Sequence, residues 1–295
     1  MKVAFLVLCH KNPNQINQLI QALSHPDVDI FIHLDKKCGD MEGISKDSGH
    51  VYMLPDEKRV DARWATYSLV EASLNLLEAA LAQDHYDFFW LISGQDYPLR
   101  KAEEILRYLE EHPEDNFVNL YPSKNSGAGK SNNYDKRNDI LFSDWLVQRG
   151  LLNRIICRAW VELTGGYNHT FSVFKRKNPH NVKYYFGSEW WCINHKAAAY
   201  MAKYVAENPW YAAFYKKTSC SDESFFQTLL MNSPYVSTRK EYLHYIDWSE
   251  GNNSPKTLTC ADLDAMFESG KLMARKIDTD VDRDIIATIN RWYKD

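Results

Sequence analysis

Residues 218–230 read TSCSDESFFQTLL, and within them Glu223 is a carboxylate at the start of an amphipathic segment, where a general base could sit. The segment predicts a helix over 221–233, with Ser219 or Ser221 as its cap and Asp222 supporting the turn. A carboxylate in the first turn meets the positive end of the helix dipole and stays ionised, the state that a base requires. Other polar residues follow apolar runs: Cys9, His10 and Lys11 after the first, Asp35 in HLDKK after the second, and Ser93 to Asp96 in ISGQDYPL. Ligands of open α/β sheets collect beyond the carboxyl ends of the strands, so these positions define a candidate rim. Each alone reads more readily as a turn former or a cap, and it is the collection of three such strand ends that points to a site.

HLDKK carries Lys37 where an Asp-x-Asp pair would have its second acid. Sites that hold a divalent ion against a nucleoside diphosphate use such oxygen ligands. Without one, the diphosphate charge has to be met by Lys or Arg, and Lys256 in NNSPKTL, with Arg275 and Lys276 in MARKID, are the candidates. SGAGKS at 126–131 lacks the spacing of a phosphate-binding loop and has no strand feeding directly into it.

The elements that would carry these residues alternate along the first half of the chain. Strands are predicted over 2–10, 29–35, 51–55, 86–94 and 116–122, and helices over 12–24, 66–83 and 101–112. This order argues for a mostly parallel sheet flanked by helices. Residues 123–139 read as an exposed polar loop, 185–205 as a strand entering a helix, and 241–258 as extended chain passing into a loop, with two short helices at the end. There is no repeat or clean linker, so a single domain over 1–295 is expected, its nucleotide-binding half at 1–122 and its acceptor-binding and catalytic half at 123–295.

The 295 residues are 45% hydrophobic and 25% charged, enough to bury a sizeable core. A net charge of -4 gives no electrostatic footprint for nucleic acid. The six cysteines form no CxxC pair, and free thiols in a reducing cytosol are expected. No apolar stretch reaches the roughly 18 residues of a membrane span.

Seven segments in register, HLDKK, RWATYSLVEASLNLL, LISGQDYPLR, YFGSEWWCI, SDESFFQTLL, YIDW and LMARKID, make the sequence resemble the core-2/I-branching β-1,6-N-acetylglucosaminyltransferase family, which includes peptide O-xylosyltransferases. The likeness runs from residue 1 to about 280 and is weakest over 123–184. It implies a GT-A-type α/β fold and an inverting, metal-independent transfer from a UDP-sugar, with no cofactor. Glu223 matches the family's catalytic carboxylate, Asp35 the aspartate near the uridine, and Lys256 and Lys276 its diphosphate pair. Lys256 stands where some relatives have Arg, which is not equivalent on phosphate. His10 and Arg275 complete the expected UDP side; Asp96, Glu189, Trp190 and Trp248 form the expected acceptor and sugar side, with one of Trp190 and Trp191 in the core.

Animal members are anchored in the Golgi. This chain starts at the first strand of the catalytic region and looks like a soluble bacterial relative, acting in the cytoplasm on a polysaccharide or lipid-linked glycan, with room for peripheral contact with the inner membrane face through that acceptor. N-acetylglucosamine leads as donor sugar, with xylose second. A sugar-nucleotide hydrolase or phosphorylase would release free sugar without an acceptor-linked product, and a glycan-binding module would show no affinity for UDP.

Overall fold

A computed structural model describes residues 1–39, 41–45, 49–122, 134–139, 155–156, 159, 176–252 and 254–292. Among these, the continuous apolar runs form the centre of a seven-stranded sheet. β1 (Val3–Cys9) lies between β2 (Val28–Leu34) and β4 (Phe88–Ser93), parallel to both, and β3 (Val51–Met53) extends the sheet beyond β2. The second half of the chain completes the same sheet: β7 (Trp191–Asn194) runs antiparallel to β4 and to β6 (Asn116–Val118), and β8 (Arg239–Lys240) pairs parallel with β6. The sheet is therefore mostly parallel and flanked by helices, as expected of the GT-A type.

Alternation along β1 divides the core between two faces. Val3, Phe5, Val7 and Cys9 pack with Ile16 and Leu19 of α1 (Pro13–Ala22) and with Ile285 and Ile289 of the last described helix. Ala4, Leu6 and Leu8 pack with Val70, Leu74 and Leu77 of α2 (Tyr67–Gln83) and with Phe225 and Phe226. β1, β2 and β4 are buried on both sides, which explains why their sequences are almost uninterrupted apolar runs.

A second sheet of three short strands stands at the site end: β5 (Asp96–Pro98), β9 (His244–Ile246) and β10 (Met273–Arg275), with β10 in the middle. Its register sets Arg275 opposite Asp96. Three-residue strands leave little periodic signal, and this sheet was not anticipated as such.

Part of the expected loop at 123–139 is a helix, Tyr134–Asp139; the remainder, with SGAGKS, lies outside the described residues. Cys9, Cys38, Cys192, Cys220 and Cys260 are unpaired, and Cys157 lies outside the described residues. No helix among the described residues is long and apolar enough to cross a membrane.

Candidate functional site

The turn that carries Glu223 differs from the predicted helix start. Ser221–Glu223 is a single 3-10 turn, and the α-helix begins afterwards, over Phe225–Met231. Neither Ser219 nor Ser221 caps it: Cys220 precedes the turn in the left-handed conformation (φ 50°) without a side-chain cap, and the Ser221 hydroxyl is buried with no hydrogen-bond partner among the described residues. Ser224 joins the two pieces, its hydroxyl in hydrogen-bonding contact with Tyr215 (3.0 Å), Asn138 (3.0 Å) and Thr228 (3.3 Å). The Glu223 carboxylate thus lies just ahead of the helix, and a neighbouring side chain supplies its compensating charge.

Two of the motif segments hold this turn in place. Ala65, also left-handed (φ 63°), accepts a hydrogen bond at its carbonyl from the Cys220 N–H (2.9 Å), and Tyr67 meets Phe225 edge-on at 6.0 Å. In YFGSEWWCI, the Gly187 N–H donates to the Glu223 carbonyl (2.8 Å). A side chain at Gly187 is barred because its Cβ would stand 1.8 Å from the Asn119 carbonyl oxygen.

Glu223 forms an ion pair with Arg137, and both side chains remain about a quarter exposed (27% and 28%). Next to it are two further carboxylates. Asp222 is buried, its Oδ1 without a partner among the described residues; burial, then Glu223, pushes its pKa up to about 7. Glu189 is half-buried overall, but its Oε1 has no exposed area and no partner among the described residues. Burial first, then Asp222 and Glu223, holds its carboxyl well above the ordinary range, against the pull of Arg275.

Arg275 joins this acidic side to the strand ends. Its guanidinium lies 4.1 Å from the centre of the Trp190 ring, donates to Asp96 (2.7 Å) and also bonds the Ser93 hydroxyl. Asp96 has no exposed surface and accepts in addition from the Ser93 N–H (2.8 Å), with His244 Nε2 3.6 Å away. Burial would raise the Asp96 pKa, but Arg275 and His244 outweigh it and hold it below the ordinary value. The expected sugar contact at Asp96 is therefore not accessible here; Asp96 anchors Arg275 instead.

Beyond Arg275 the rim turns cationic. The ring of His10 has its pKa lowered by partial desolvation, then by Lys11, with Lys276 and Arg275 adding to the effect and Asp35 opposing it. Lys276 is half-buried, its ammonium lowered by burial and by Arg275. Asp35 is buried, accepts from the Lys37 N–H (3.0 Å) at the end of β2, and lies 3.4 Å from the Lys37 ammonium. His10, Asp35, Lys276, Arg275, Glu189 and Glu223 therefore form one arc.

The other candidates sit apart from the arc's centre or inside the core. Lys256 lies two residues before Leu258, whose N–H donates to the Lys276 carbonyl (2.8 Å), but its ammonium is engaged by Asp262 at 2.5 Å. Trp248 is 46% exposed, in the loop after β9, whereas Trp191 is core, against Phe226. A concavity of 720 Å³ lined by Arg100, Arg107, Phe267 and Trp292 lies beyond the far end of β5 and includes none of the candidates. Among the described residues no group of His, Cys, Asp and Glu could hold a metal ion. Sequence reasoning missed Arg137, which stands in a segment with no periodic signal, and His244, whose only signal was its place beside the YIDW motif.

Residues 3–268 match the family model described as "Core-2/I-Branching enzyme". The chain is 23% identical over 319 residues to human xylosyltransferase 1, covering 99% of this chain and 30% of that protein. It is 23% identical over 319 residues to rat xylosyltransferase 2, covering 98% and 33%. The chain thus spans about a third of the length of these curated relatives. Among solved structures, mouse xyloside xylosyltransferase 1 in its apo form aligns over 92% of this chain and 97% of its own, with a TM-score of 0.38 and 8% identity. The Staphylococcus aureus TarS 1–349 structure aligns over 50% and 43%, with a TM-score of 0.28 and 13% identity.

Proposed function

The chain belongs to the core-2/I-branching enzyme family, a family of glycosyltransferases, and from that premise we propose that it transfers a sugar from a UDP-sugar to a hydroxyl of a glycan acceptor, with inversion and without a metal. The observation that supports this reading is the polarity of the arc among the described residues: crowded cations at the strand ends, the partly exposed Glu223 carboxylate at the other end, and Arg275 between them.

Lys276 and His10 lie close to Arg275 and Lys11, cations that Asp278 and Asp35 offset only in part, and a diphosphate would complete the balance. Arg275 already has a carboxylate partner, so Lys276 carries the larger share of the diphosphate contact and Arg275 supports it from Asp96. Asp35 meets the uridine. At the other end, the acceptor oxygen bonds to the anomeric carbon as its proton passes to Glu223. The bond from that carbon to the β-phosphate oxygen breaks, and its electron pair leaves with UDP. Arg137 engages Oε2 of Glu223, which leaves Oε1 for the hydroxyl proton. Charge that grows on the leaving phosphate is stabilised by Lys276 as a fixed cation. Glu189 and Trp248 line the acceptor side, and Trp190 backs Arg275.

N-acetylglucosamine is the donor suggested by the resemblance. Xylose is a specific second reading, favoured because the relatives matched over almost the whole chain are named xylosyltransferases. Thermal shift with UDP-N-acetylglucosamine and UDP-xylose separates the two. Glu223→Gln should abolish transfer and leave UDP affinity nearly intact; full turnover by that variant would remove Glu223 from the mechanism.

A further inference from the structure

Gln15 is 1% exposed and stands at the third position of α1, where Asn12 caps the helix by accepting from the Gln15 N–H (3.1 Å). In a capping box the Gln side chain at this position folds back onto the N-cap N–H. Here it crosses the molecule instead. Its Nε2 donates to the carbonyls of Gly94 (2.8 Å) and Ile277 (3.1 Å), and its Oε1 accepts from the Thr279 N–H (2.9 Å). One buried amide thereby joins the start of α1, the turn after β4, and both sides of Asp278.

Asp278 itself is held from the same two segments, accepting from the Lys11 ammonium (2.6 Å) and from Gln95 Nε2 (3.1 Å). The Ile277 N–H donates to the Gln95 carbonyl (2.8 Å). Residues 277–279 are thus fixed at both backbone and side chain, and the residue immediately before them is Lys276. We infer that Gln15 is a positioning residue for donor binding, holding the 277–279 segment so that the Lys276 ammonium faces the diphosphate. This inference rests on the proposed role of Lys276.

The geometry explains why an amide is required. Gln15→Leu would leave two buried carbonyls and one partly buried N–H unsatisfied, and Gln15→Glu would set a carboxylate against the Gly94 and Ile277 carbonyls. Gln15→Asn keeps the chemistry but is one methylene too short to span the three segments.

The test is calorimetric titration of UDP, with uridine measured by saturation-transfer NMR, on the wild type, Gln15→Leu, Gln15→Asn, Lys276→Ala and the Gln15→Asn/Lys276→Ala double variant. Each Gln15 variant should bind UDP about tenfold more weakly, the cost of one or two lost buried hydrogen bonds, with uridine affinity unchanged. In the Lys276→Ala background Gln15→Asn should have almost no further effect, because coupled residues are non-additive. A merely structural Gln15 would weaken uridine and UDP alike, or add its full effect in the double variant, and either result overturns the inference. Unchanged UDP affinity in both Gln15 variants, with Lys276→Ala still impaired, also overturns it. If Lys276→Ala itself binds UDP normally, the diphosphate reading fails first and the inference fails with it.

Discussion

Replacing Asp222 by Asn should stabilise the protein much more at pH 8 than at pH 5. Asp222 is 6% exposed, with one carboxylate oxygen unpartnered among the described residues. It is flanked by Glu223 and Glu189; Arg137 offsets Asp222 and pairs with Glu223, and Arg275 offsets Glu189. Burial and then Glu223 move its pKa from 3.8 to about 7, so the folded state holds this proton more tightly than the unfolded chain does. Below pH ~4 both states are protonated and the residue costs nothing; the penalty grows as pH rises and is complete above about 7. At ~1.36 kcal/mol per pH unit the full penalty is ~4 kcal/mol, of which ~2–3 kcal/mol develops between pH 5 and pH 8. The Asp222→Asn side chain does not titrate. Urea denaturation of both proteins at the two pH values should therefore show the stability difference moving in the variant's favour by that amount. A difference independent of pH, or one that moves towards the wild type at pH 8, would refute the claim that Asp222 is a buried carboxylate under strain from its neighbours.

Gly187→Ala should destabilise the fold by ~3 kcal/mol, because the new methyl meets backbone at Asn119 and the Glu223 turn loses its tether. An unchanged thermal midpoint would show that the two segments separate easily. Asp96→Asn leaves Arg275 without its buried counter-ion and should cost ~3 kcal/mol in denaturant titration; no loss would mean that the pair is dispensable. Transfer activity should survive excess EDTA. Loss of activity that Mn²⁺ restores would sink the metal-free reading.

The large sheet was legible because its physics is local. Runs such as VAFLVLC and FFWLIS have the length and unbroken apolarity of strands buried on both faces, and α2 declares itself through the spacing of Ala72, Leu76, Leu77 and Ala80. The arc was legible in part, since strand ends in a parallel sheet point to a common rim, which gave His10 and Asp35 from topology alone. The Glu223 turn was misread because acidic and serine residues before an apolar run resemble a helix start. What ends the resemblance is Cys220 in a left-handed conformation, set by a tertiary hydrogen bond to Ala65 that no local pattern encodes. The burial of Asp96 was not legible for a related reason: a polar residue after a strand looks available, and only the partner strand β10 shows that Arg275 engages it.

The bond from Thr279 to Gln15 closes a loop of 264 residues, and the Lys11–Asp278 pair spans 267. Contacts so distant in sequence have to wait until the chain between them is ordered, because their closure entropy is not offset until then. β1, β2 and α1 can collapse early around neighbouring apolar residues, but the rim they prepare lacks Arg275 and Lys276 until the 275–279 segment docks. On the proposed reading of the rim as a UDP site, a partly folded molecule would carry a native-like sheet before it could bind UDP, so the recovery of nucleotide binding during refolding should trail the recovery of secondary structure.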